Sequence, residues 1–387
     1  MRLFRRALVA VAVLLLGMVA GVGWYYSNQI LGPDEPLERR GQTVKAHTDT
    51  TITLTPTARS VRPGWWAIEW PGGYGELGPE IGRDHGALVR RFRLAAGAPP
   101  ETSARIAGFA SDANPRTWLG IRFEEIAIHS RIGTLPAWRI AGPGPTWAIF
   151  VHGRGATRAE VLRMLPFYRA QGMPGLVISY RNDPGLPRFQ GGGYRMGVTE
   201  WEDLEAAVRY ALDHGARDVV LVGCSMGGGI VAQFLRHSSL RGAVRGAVLD
   251  APALDWEAVL AQAAEKRRVP APLTTLGMAV STLRSGIHWS DLTQALHAGE
   301  FVTPMLIFHG ESDATVPIAV SERFAAARPD LVILVRIPEA DHVESSNYQP
   351  ERYRRVLTAW LEAHGVMRPG AGSEFSAPDT PRRRKGL

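Results

Sequence analysis

Through the second half of the chain, short apolar runs alternate with longer stretches in which apolar residues recur every three or four positions. The runs have the length of buried strands, and the longer stretches have the helical period. The apolar runs occur at 147–151, 175–180, 218–223, 245–250, 304–308 and 331–337. The helical stretches cover 157–171, 200–214, the residues from 228 to about 237, 318–328 and 351–364. Buried strands separated by helices predict an α/β fold with a mostly parallel sheet and helices on both faces.

Two parts of the pattern depart from this alternation. Residues 63–140 contain short β-like runs separated by turn residues, such as 87–94 and 121–128, and predict a β-rich N-terminal elaboration. Residues 251–300 interrupt the alternation with helical stretches and predict a helical lid over the carboxyl ends of the strands. A packing helix followed by a connector is the alternative for that insertion. We expect the α/β domain to span 141–367.

An apolar stretch near the N-terminus, 7–26, has no charged side chain and follows a short basic segment, 1–6. About 20 residues span a bilayer as a helix, and preceding basic residues favour a cytoplasmic N-terminus. The stretch therefore predicts a transmembrane signal anchor, with 27–62 as a linker to an extracytoplasmic catalytic domain. A cleaved signal peptide, which would leave a secreted protein, is the alternative, although its apolar region is usually shorter.

The charge is concentrated at the two ends of the chain. Of the net charge of +7, residues 1–6 contribute +3 and residues 368–387 contribute another +3. The latter form a basic tail rich in proline, glycine and serine, which we predict to be disordered. The remaining body is close to neutral, which argues against a nucleic-acid partner. The one cysteine, Cys224, excludes an intrachain disulfide and is interpreted as a buried small residue.

The most specific chemical signal is Gly223-Cys-Ser225-Met-Gly227, which stands between an apolar run and a helical stretch rich in small residues. A G-x-S-x-G segment at a strand-to-helix turn is typical of a nucleophile elbow, in which a strained serine lies at the N-terminus of a helix. An ordinary glycine-rich turn has the same five-residue pattern. The partners of Ser225 therefore decide between the two interpretations.

A serine nucleophile needs a base to accept its proton and an acid to orient that base. Asp313 follows the fifth apolar run and His342 follows the sixth, so both are expected at the sheet edge that carries Ser225. Their order along the chain is the serine, acid, histidine order expected on such a sheet. We therefore predict a triad of Ser225, His342 and Asp313, with Glu311 and Asp250 as reserve acids.

An oxyanion hole needs two preorganised N–H donors. Met226, directly after the nucleophile, supplies one through its backbone. The glycine loop His152-Gly-Arg-Gly155 follows the first apolar run, and we assign the second donor to the backbone N–H of Arg154. The alternative for this loop is a plain turn between a strand and a helix. Asp341, the neighbour of His342, is expected to face solvent.

Together these segments resemble the α/β-hydrolase superfamily, and within it the serine hydrolases described as serine aminopeptidase-like, lysophospholipase-like or Bem46-like. The resemblance covers roughly residues 147–364 and is specific for the fold in combination. One departure is Asp341, where the family commonly has glycine before the histidine. The matching segments are H-G-R-G at 152–155, G-C-S-M-G-G at 223–228, H-G-E-S-D-A-T-V-P at 309–317 and D-H-V-E at 341–344.

The resemblance implies acyl transfer to water through an acyl-enzyme, with carboxylic esters as the favoured substrates. Thioesters and amides are open alternatives, as are peptidase and acyltransferase activities. A catalytically silent, membrane-anchored binding protein on the same fold is the alternative from another class. No cofactor is predicted, and neither an H-E-x-x-H motif nor a cysteine ligand set predicts a metal. The expected partners are a small-molecule or lipid-like acyl substrate and a membrane.

Overall fold

The computed structural model describes residues 2–32, 41–183, 185–186 and 193–366. The tail predicted at 368–387 and part of the linker predicted at 27–62 lie outside the described residues. The helices are α1 (Arg2–Leu31), α2 (Pro115–Leu119), α3 (Leu165–Ala170), α4 (Trp201–Asp213), α5 (Met226–His237), α6 (Trp256–Lys266), α7 (Ala271–Ser285), α8 (Ile318–Ala327), α9 (Ser345–Tyr348) and α10 (Pro350–Ala363). The strands are β1 (Gln42–His47), β2 (Thr51–Leu54), β3 (Trp66–Trp70), β4 (Gly73–Asp84), β5 (Ala87–Gly97), β6 (Ser103–Ala107), β7 (Glu124–Ser130), β8 (Gly133–Ile140), β9 (Thr146–Val151), β10 (Gly175–Ile178), β11 (Asp218–Cys224), β12 (Val244–Asp250), β13 (Met305–Gly310) and β14 (Val332–Ile337).

An eight-stranded sheet forms the centre of the fold, in the order β14-β13-β12-β11-β9-β10-β8-β7. Neighbours from β14 to β10 run parallel, whereas β8 is antiparallel to both β10 and β7. Alternate side chains of β9 pack in two separate cores, Ile149 and Val151 in one and Ala148 and Phe150 in the other. Both faces are therefore covered, and the α/β fold with a mostly parallel sheet that the sequence predicts is confirmed.

The hairpin β7–β8 extends this sheet, yet it lies before residue 141, where we expected the α/β domain to begin. The side chains of β7 are mostly exposed or half-buried, as in an edge strand, so this strand lacks a continuous apolar run. From the sequence it therefore resembles the β-rich elaboration, although its partner β8 pairs with the central sheet. The α/β unit begins at Glu124.

A closed six-stranded barrel precedes the sheet, with the strand order β1-β2-β5-β4-β3-β6. It accounts for part of the β-rich region predicted at 63–140. Its first two strands, however, fall within 27–62, which we expected to be a linker. These strands are short and rich in threonine, and few apolar positions, such as Ile52 and Leu54, distinguish them from a polar connection. Closing the barrel removes the exposed strand edges that so small a sheet would leave.

A buried guanidinium fixes one loop of the barrel. Arg90 is 1% exposed and donates hydrogen bonds to the carbonyl oxygens of Gly78, Ser60, Arg62 and Gly64. Burial lowers its pKa to about 10, which leaves the guanidinium charged at neutral pH. One side chain thereby bonds three carbonyl oxygens of the segment from Ser60 to Gly64.

Helix α1 is long and apolar enough over Phe4–Leu31 to cross a membrane. The helix is exposed over residues 10–21, whereas Ser27 and Ile30 are buried against the α/β unit. The apolar segment predicted at 7–26 is contained within this longer helix.

The insertion at 251–300 contains α6, α7 and two short 3₁₀ helices. The Gln262 side chain on α6 donates to the carbonyl oxygen of Asp313 at 3.3 Å. The N–H of Ala253 donates to the carbonyl oxygen of Ser225 at 3.0 Å. The insertion therefore contacts the loops that carry two of the predicted site residues.

Candidate active site

The turn between β11 and α5 holds Ser225 in a strained backbone conformation. Ser225 has φ 51° and ψ −118°, a region that residues other than glycine rarely occupy. A Cβ at Gly227 would lie 2.2 Å from the carbonyl oxygen of Val151, and one at Gly223 would lie 2.7 Å from the carbonyl oxygen of Gly227. Both positions require glycine because the backbones approach so closely. The serine therefore sits at the N-terminus of α5, as in a nucleophile elbow.

Ser225, His342 and Asp313 form a continuous chain of hydrogen bonds. Nε2 of His342 lies 2.8 Å from Oγ of Ser225, and its Nδ1 lies 2.8 Å from Oδ2 of Asp313. The Asp313 side chain is fully buried, and that of His342 is 20% exposed. In this order the hydroxyl can give its proton to the imidazole while the carboxylate orients the ring. The structure thus brings together the three residues that the sequence predicts as a triad.

The surroundings of Asp313 stabilise it as a carboxylate. Its Oδ1 accepts the N–H groups of Thr315 and Val316, both at 2.8 Å, and Nε2 of His309 lies 3.4 Å from its Oδ2. Burial opposes the charge, but the attraction of His342 and the hydrogen bonds of both histidines hold the pKa of Asp313 well below its usual range. The acid therefore remains ionised at neutral pH.

The interaction between Asp313 and His342 shifts the pKa of His342 in the opposite direction, upward. Burial disfavours its imidazolium, but the charge of Asp313 and the hydrogen bond to that carboxylate raise the pKa of His342 above that of an ordinary histidine. The carboxylates of Glu160 and Asp250 act in the same direction. A raised pKa makes the ring a stronger base, but the ring must be neutral to accept the serine proton.

Neighbouring groups that could compete for these roles are engaged elsewhere. Within the described part of the chain neither reserve acid contacts His342: Glu311 is exposed, and Asp250 accepts a hydrogen bond from Ser345 at 2.7 Å. Burial raises the pKa of Asp250 to about 6 and that of the Cys224 thiol well above its usual value, so the thiol is uncharged. Among the described residues, no cluster of His, Cys, Asp or Glu could hold a metal ion.

Asp341 and Glu344 hold the loop that carries the base. Asp341, which we expected to face solvent, instead accepts the N–H groups of His342 and Ala314 at 2.8 and 2.9 Å. It therefore joins the loop of the base to the loop of the acid. Glu344 accepts the N–H of Asp341 at 3.1 Å. The expectation was wrong because short carboxylate side chains readily bond the backbone N–H groups of their own turn.

The barrel contributes two arginines to the same loop. Arg59 and Arg62 form ion pairs with the buried carboxylate of Glu344, at 2.7 and 2.5 Å. Arg62 also donates to the carbonyl oxygen of Glu339 at 3.2 Å. The barrel thus supports the loop of the base, a role that the sequence did not indicate because no motif marks these arginines.

The glycine loop after β9 lies directly against the serine. A Cβ at Gly153 would lie 3.1 Å from Cβ of Ser225, and the N–H of Gly153 donates to the buried Glu160 at 2.7 Å. Arg154 follows in this loop, and Met226 is the first residue of α5, where helix N–H groups have no intrahelical acceptor. Of the two residues that the sequence assigns to the oxyanion hole, Met226 therefore directly follows the serine, and Arg154 directly follows the glycine that lies against it.

Buried polar side chains form further hydrogen bonds with the backbone of this glycine loop. His152 bonds through Nε2 to Asp183 at 3.0 Å and through Nδ1 to the carbonyl oxygen of Gly153 at 2.9 Å. The hydroxyl of Tyr180 donates to the carbonyl oxygens of His152 and Gly153. Although burial disfavours its charge, Asp183 raises the pKa of His152. The sequence placed His152 in the predicted glycine loop, but no motif singled out Asp183 or Tyr180.

Two sequence profiles match the chain. The profile of the prolyl oligopeptidase family matches residues 168–365, just over half of the chain. A domain of unknown function, DUF8805, matches residues 43–107, which make up the barrel. No curated protein matches the sequence.

Solved structures of similar fold include several esterases. An esterase from Pyrococcus furiosus has a TM-score of 0.54 and 20% sequence identity, over 66% of this chain and 95% of its own. A thermophilic esterase from the planctomycete Thermogutta terrifontis has a TM-score of 0.50 and 18% identity, over 64% of this chain and 94% of its own. With the family match, this likeness confirms the α/β-hydrolase fold that the sequence resemblance implied.

Lowering the pH should remove activity as His342 becomes protonated. Because the pKa of His342 is raised, the midpoint of this acid limb in kcat/KM should lie above about 6.5, the value of an unperturbed histidine. Asp313→Asn removes the charge that raises this pKa. The variant should lose roughly 10⁴-fold in kcat, and its acid limb should move to lower pH.

The matched control is Asp330→Asn, which changes an exposed carboxylate that is paired with Arg328. Its pH dependence should equal that of the parent. An acid limb at the same pH in the Asp313→Asn variant and the parent would contradict the assigned coupling.

Gly227→Ala should prevent the turn at Ser225 from closing. The new methyl group would overlap the carbonyl oxygen of Val151, so we expect a loss of about 1–3 kcal/mol in the free energy of unfolding, together with loss of hydrolase activity. Chemical denaturation measures the first effect. Gly242→Ala is the control, because a Cβ there meets no atom within 4 Å, and its stability should change by at most about 1 kcal/mol.

Proposed function

We propose that this chain, which belongs to the prolyl oligopeptidase family and is a serine hydrolase of the α/β-hydrolase type, cleaves carboxylic ester bonds through Ser225, His342 and Asp313. The observation that carries the proposal is the unbroken hydrogen-bond chain from the strained serine to the buried carboxylate. The names of the two similar esterases support an ester as the substrate.

The reaction follows from the positions of these groups. Oγ of Ser225 attacks the ester carbonyl while Nε2 of His342 accepts its proton, and the charge of Asp313 stabilises the imidazolium. The backbone N–H groups of Met226 and Arg154 stabilise the negative oxygen of the tetrahedral intermediate. His342 then protonates the departing alcohol. A water molecule, deprotonated by the same ring, hydrolyses the acyl-enzyme and regenerates the serine.

Peptide hydrolysis is the second candidate, because the matching family is named for a peptidase. An amide differs from an ester in its poorer leaving group, so His342 must deliver its proton before the amine can depart. The contacts of Ala253 with Ser225 and of Gln262 on α6 with Asp313 support a role of the insertion at 251–300 as a lid over the bound acyl group. We propose a small or lipid-like acyl group as the part of the substrate that this lid covers.

We further propose that α1 anchors the protein in a membrane, with the catalytic domain outside the cytoplasm. The uninterrupted apolar length of Phe4–Leu31 and the exposure of residues 10–21 support a spanning helix. Arg2, Arg5 and Arg6 favour a cytoplasmic N-terminus. The alternative, a signal peptide that is cleaved off, would leave the protein soluble.

A fluorophosphonate probe should label the protein at Ser225, because its phosphorus reacts with an activated serine hydroxyl. Ser225→Ala should abolish labelling and lower ester hydrolysis by roughly 10³-fold or more. Ser290→Ala, at an exposed serine on the insertion, should label like the parent. If the folded parent is not labelled at any pH from neutral to alkaline, the proposed chemistry is wrong.

p-Nitrophenyl esters and p-nitroanilides of the same acyl groups separate the two substrate classes. The ester proposal predicts a higher kcat/KM for the ester in every matched pair, and both activities should vanish in Ser225→Ala. The acyl length at which kcat/KM of the p-nitrophenyl esters is highest then indicates the depth of the acyl pocket. Faster cleavage of peptide anilides than of the corresponding esters would instead favour the peptidase candidate.

The full chain should remain in the membrane fraction after an alkaline carbonate wash, and its intact mass should include the N-terminal residues. Leu14→Arg, which places a charge in the exposed apolar stretch, should weaken this retention. Protease added outside spheroplasts should digest the catalytic domain. A soluble product that lacks most of residues 7–26 would identify the helix as a cleaved signal peptide.

A further inference from the structure

The last turn of α1 lies against the loop that carries an oxyanion donor. Nη2 of Arg154 donates to the carbonyl oxygens of Gly32 and Gln29, at 2.6 and 3.3 Å. These carbonyls lie at the C-terminal end of the helix, where the helix dipole favours a cation. Arg154 is also the residue whose backbone N–H we assign to the oxyanion hole. Its side chain and its main chain therefore connect the helix end to the surroundings of Ser225.

A second set of contacts fixes the same helix end. The N–H of Tyr194 donates to the carbonyl oxygen of Leu31 at 2.9 Å, and the guanidinium of Arg154 lies 5.8 Å from the centroid of the Tyr194 ring. Gly193 approaches so closely that a Cβ there would lie 2.5 Å from the Leu31 carbonyl oxygen. Leu31 is buried in the same apolar core as Met226, the other assigned donor.

On its other side α1 packs against α7 of the insertion. A Cβ at Gly277 would lie 2.7 Å from Cβ of Tyr26, so the two helices are in close contact there. The Ser27 hydroxyl lies 3.0 Å from that of Ser281 and accepts a hydrogen bond from Arg284 at 2.8 Å. The last part of α1 and the residue after it, 26–32, are therefore held between the insertion and the glycine loop 152–155. We call these the docked end of α1 and the oxyanion loop.

We propose that the docked end of α1 is a positioning element of the active site, which sets the oxyanion loop through the side chain of Arg154. This inference rests on the proposed function, because it concerns the same oxyanion hole. Glu160 and Tyr180 bond the backbone of Gly153, whereas the guanidinium of Arg154 is the group of this loop that bonds the end of α1. A misplacement of about 1 Å at such a donor can cost roughly 10²-fold in rate.

The oxyanion donors act on the transition state more strongly than on the bound substrate. A displaced α1 should therefore lower kcat and weaken binding of a transition-state analogue, while KM stays nearly constant. A merely structural contact would instead lower stability without this selective effect. The two readouts thus distinguish a positioning role from general support of the fold.

The test uses the full chain in detergent, with p-nitrophenyl butyrate as substrate and a trifluoromethyl ketone as transition-state analogue. Arg154→Ala keeps the backbone N–H but removes the contact with α1. We expect kcat to fall roughly 10- to 100-fold and the analogue to bind weaker by a similar factor. Arg154→Lys, which keeps a cation near the helix end, should recover part of the loss.

The matched control is Arg158→Ala, four residues along the same segment, whose side chain pairs with Glu125 and stacks on Trp138 rather than contacting α1. A second arm perturbs α1 from a distance: Gly277→Leu pushes the helix away from α7. If both changes act through the position of α1, Gly277→Leu should also lower kcat. Combined with Arg154→Ala, it should add little further loss, which a double-mutant cycle measures.

The inference is wrong if a folded Arg154→Ala variant behaves like Arg158→Ala, or if its only change is in KM. Fully additive losses in the double variant would also overturn it. Fluorophosphonate labelling of the parent keeps this test separate from the proposed function. A labelled parent with unaffected variants refutes the positioning role alone, whereas an unlabelled parent refutes the hydrolase chemistry itself.

Discussion

The strained turn at Ser225 is the constraint on which the arrangement of the α/β unit depends. Holding a serine at φ 51° costs of order 1–3 kcal/mol, and the turn persists only because its surroundings leave it no alternative. Those surroundings are the buried strand β11 that leads into the turn, the buried neighbouring strand β9, and glycines that let α5 approach β9 within contact distance. The same packing that forces the turn also places the serine beside the oxyanion loop.

Carboxylates fix the remaining loops of this sheet edge by accepting backbone N–H groups. Asp313 holds its own loop, Asp341 joins that loop to the loop of His342, and Glu160 holds the oxyanion loop. In a buried environment such charge-assisted hydrogen bonds are strong, and an unpaired partner would be costly. These bonds fix the backbone of each loop, and such preorganised groups are what electrostatic stabilisation of a transition state requires. The barrel adds to this rigidity through the ion pairs of Glu344 with Arg59 and Arg62.

The local pattern of apolar residues was sufficient to predict most of the strands and helices of the central sheet. Strands β11 and β13 are buried throughout, and the edge strand β14 still carries an apolar run, so the fold and the positions of Ser225, Asp313 and His342 just past these strands could be predicted together. The strands β1, β2 and β7 were missed because their exposed or threonine-rich positions carry no apolar period. The contact of Arg154 with the end of α1 joins segments over 120 residues apart, which no local pattern encodes.

The central claim is that Ser225 forms a covalent acyl-enzyme. The most direct measurement is the mass of the peptide that contains Ser225 after reaction with a p-nitrophenyl carbamate, whose carbamoyl-enzyme hydrolyses slowly. We expect one carbamoyl group on Ser225, formed together with a stoichiometric release of p-nitrophenol. Release of p-nitrophenol without modification of Ser225, or modification of another residue in its place, would contradict the account.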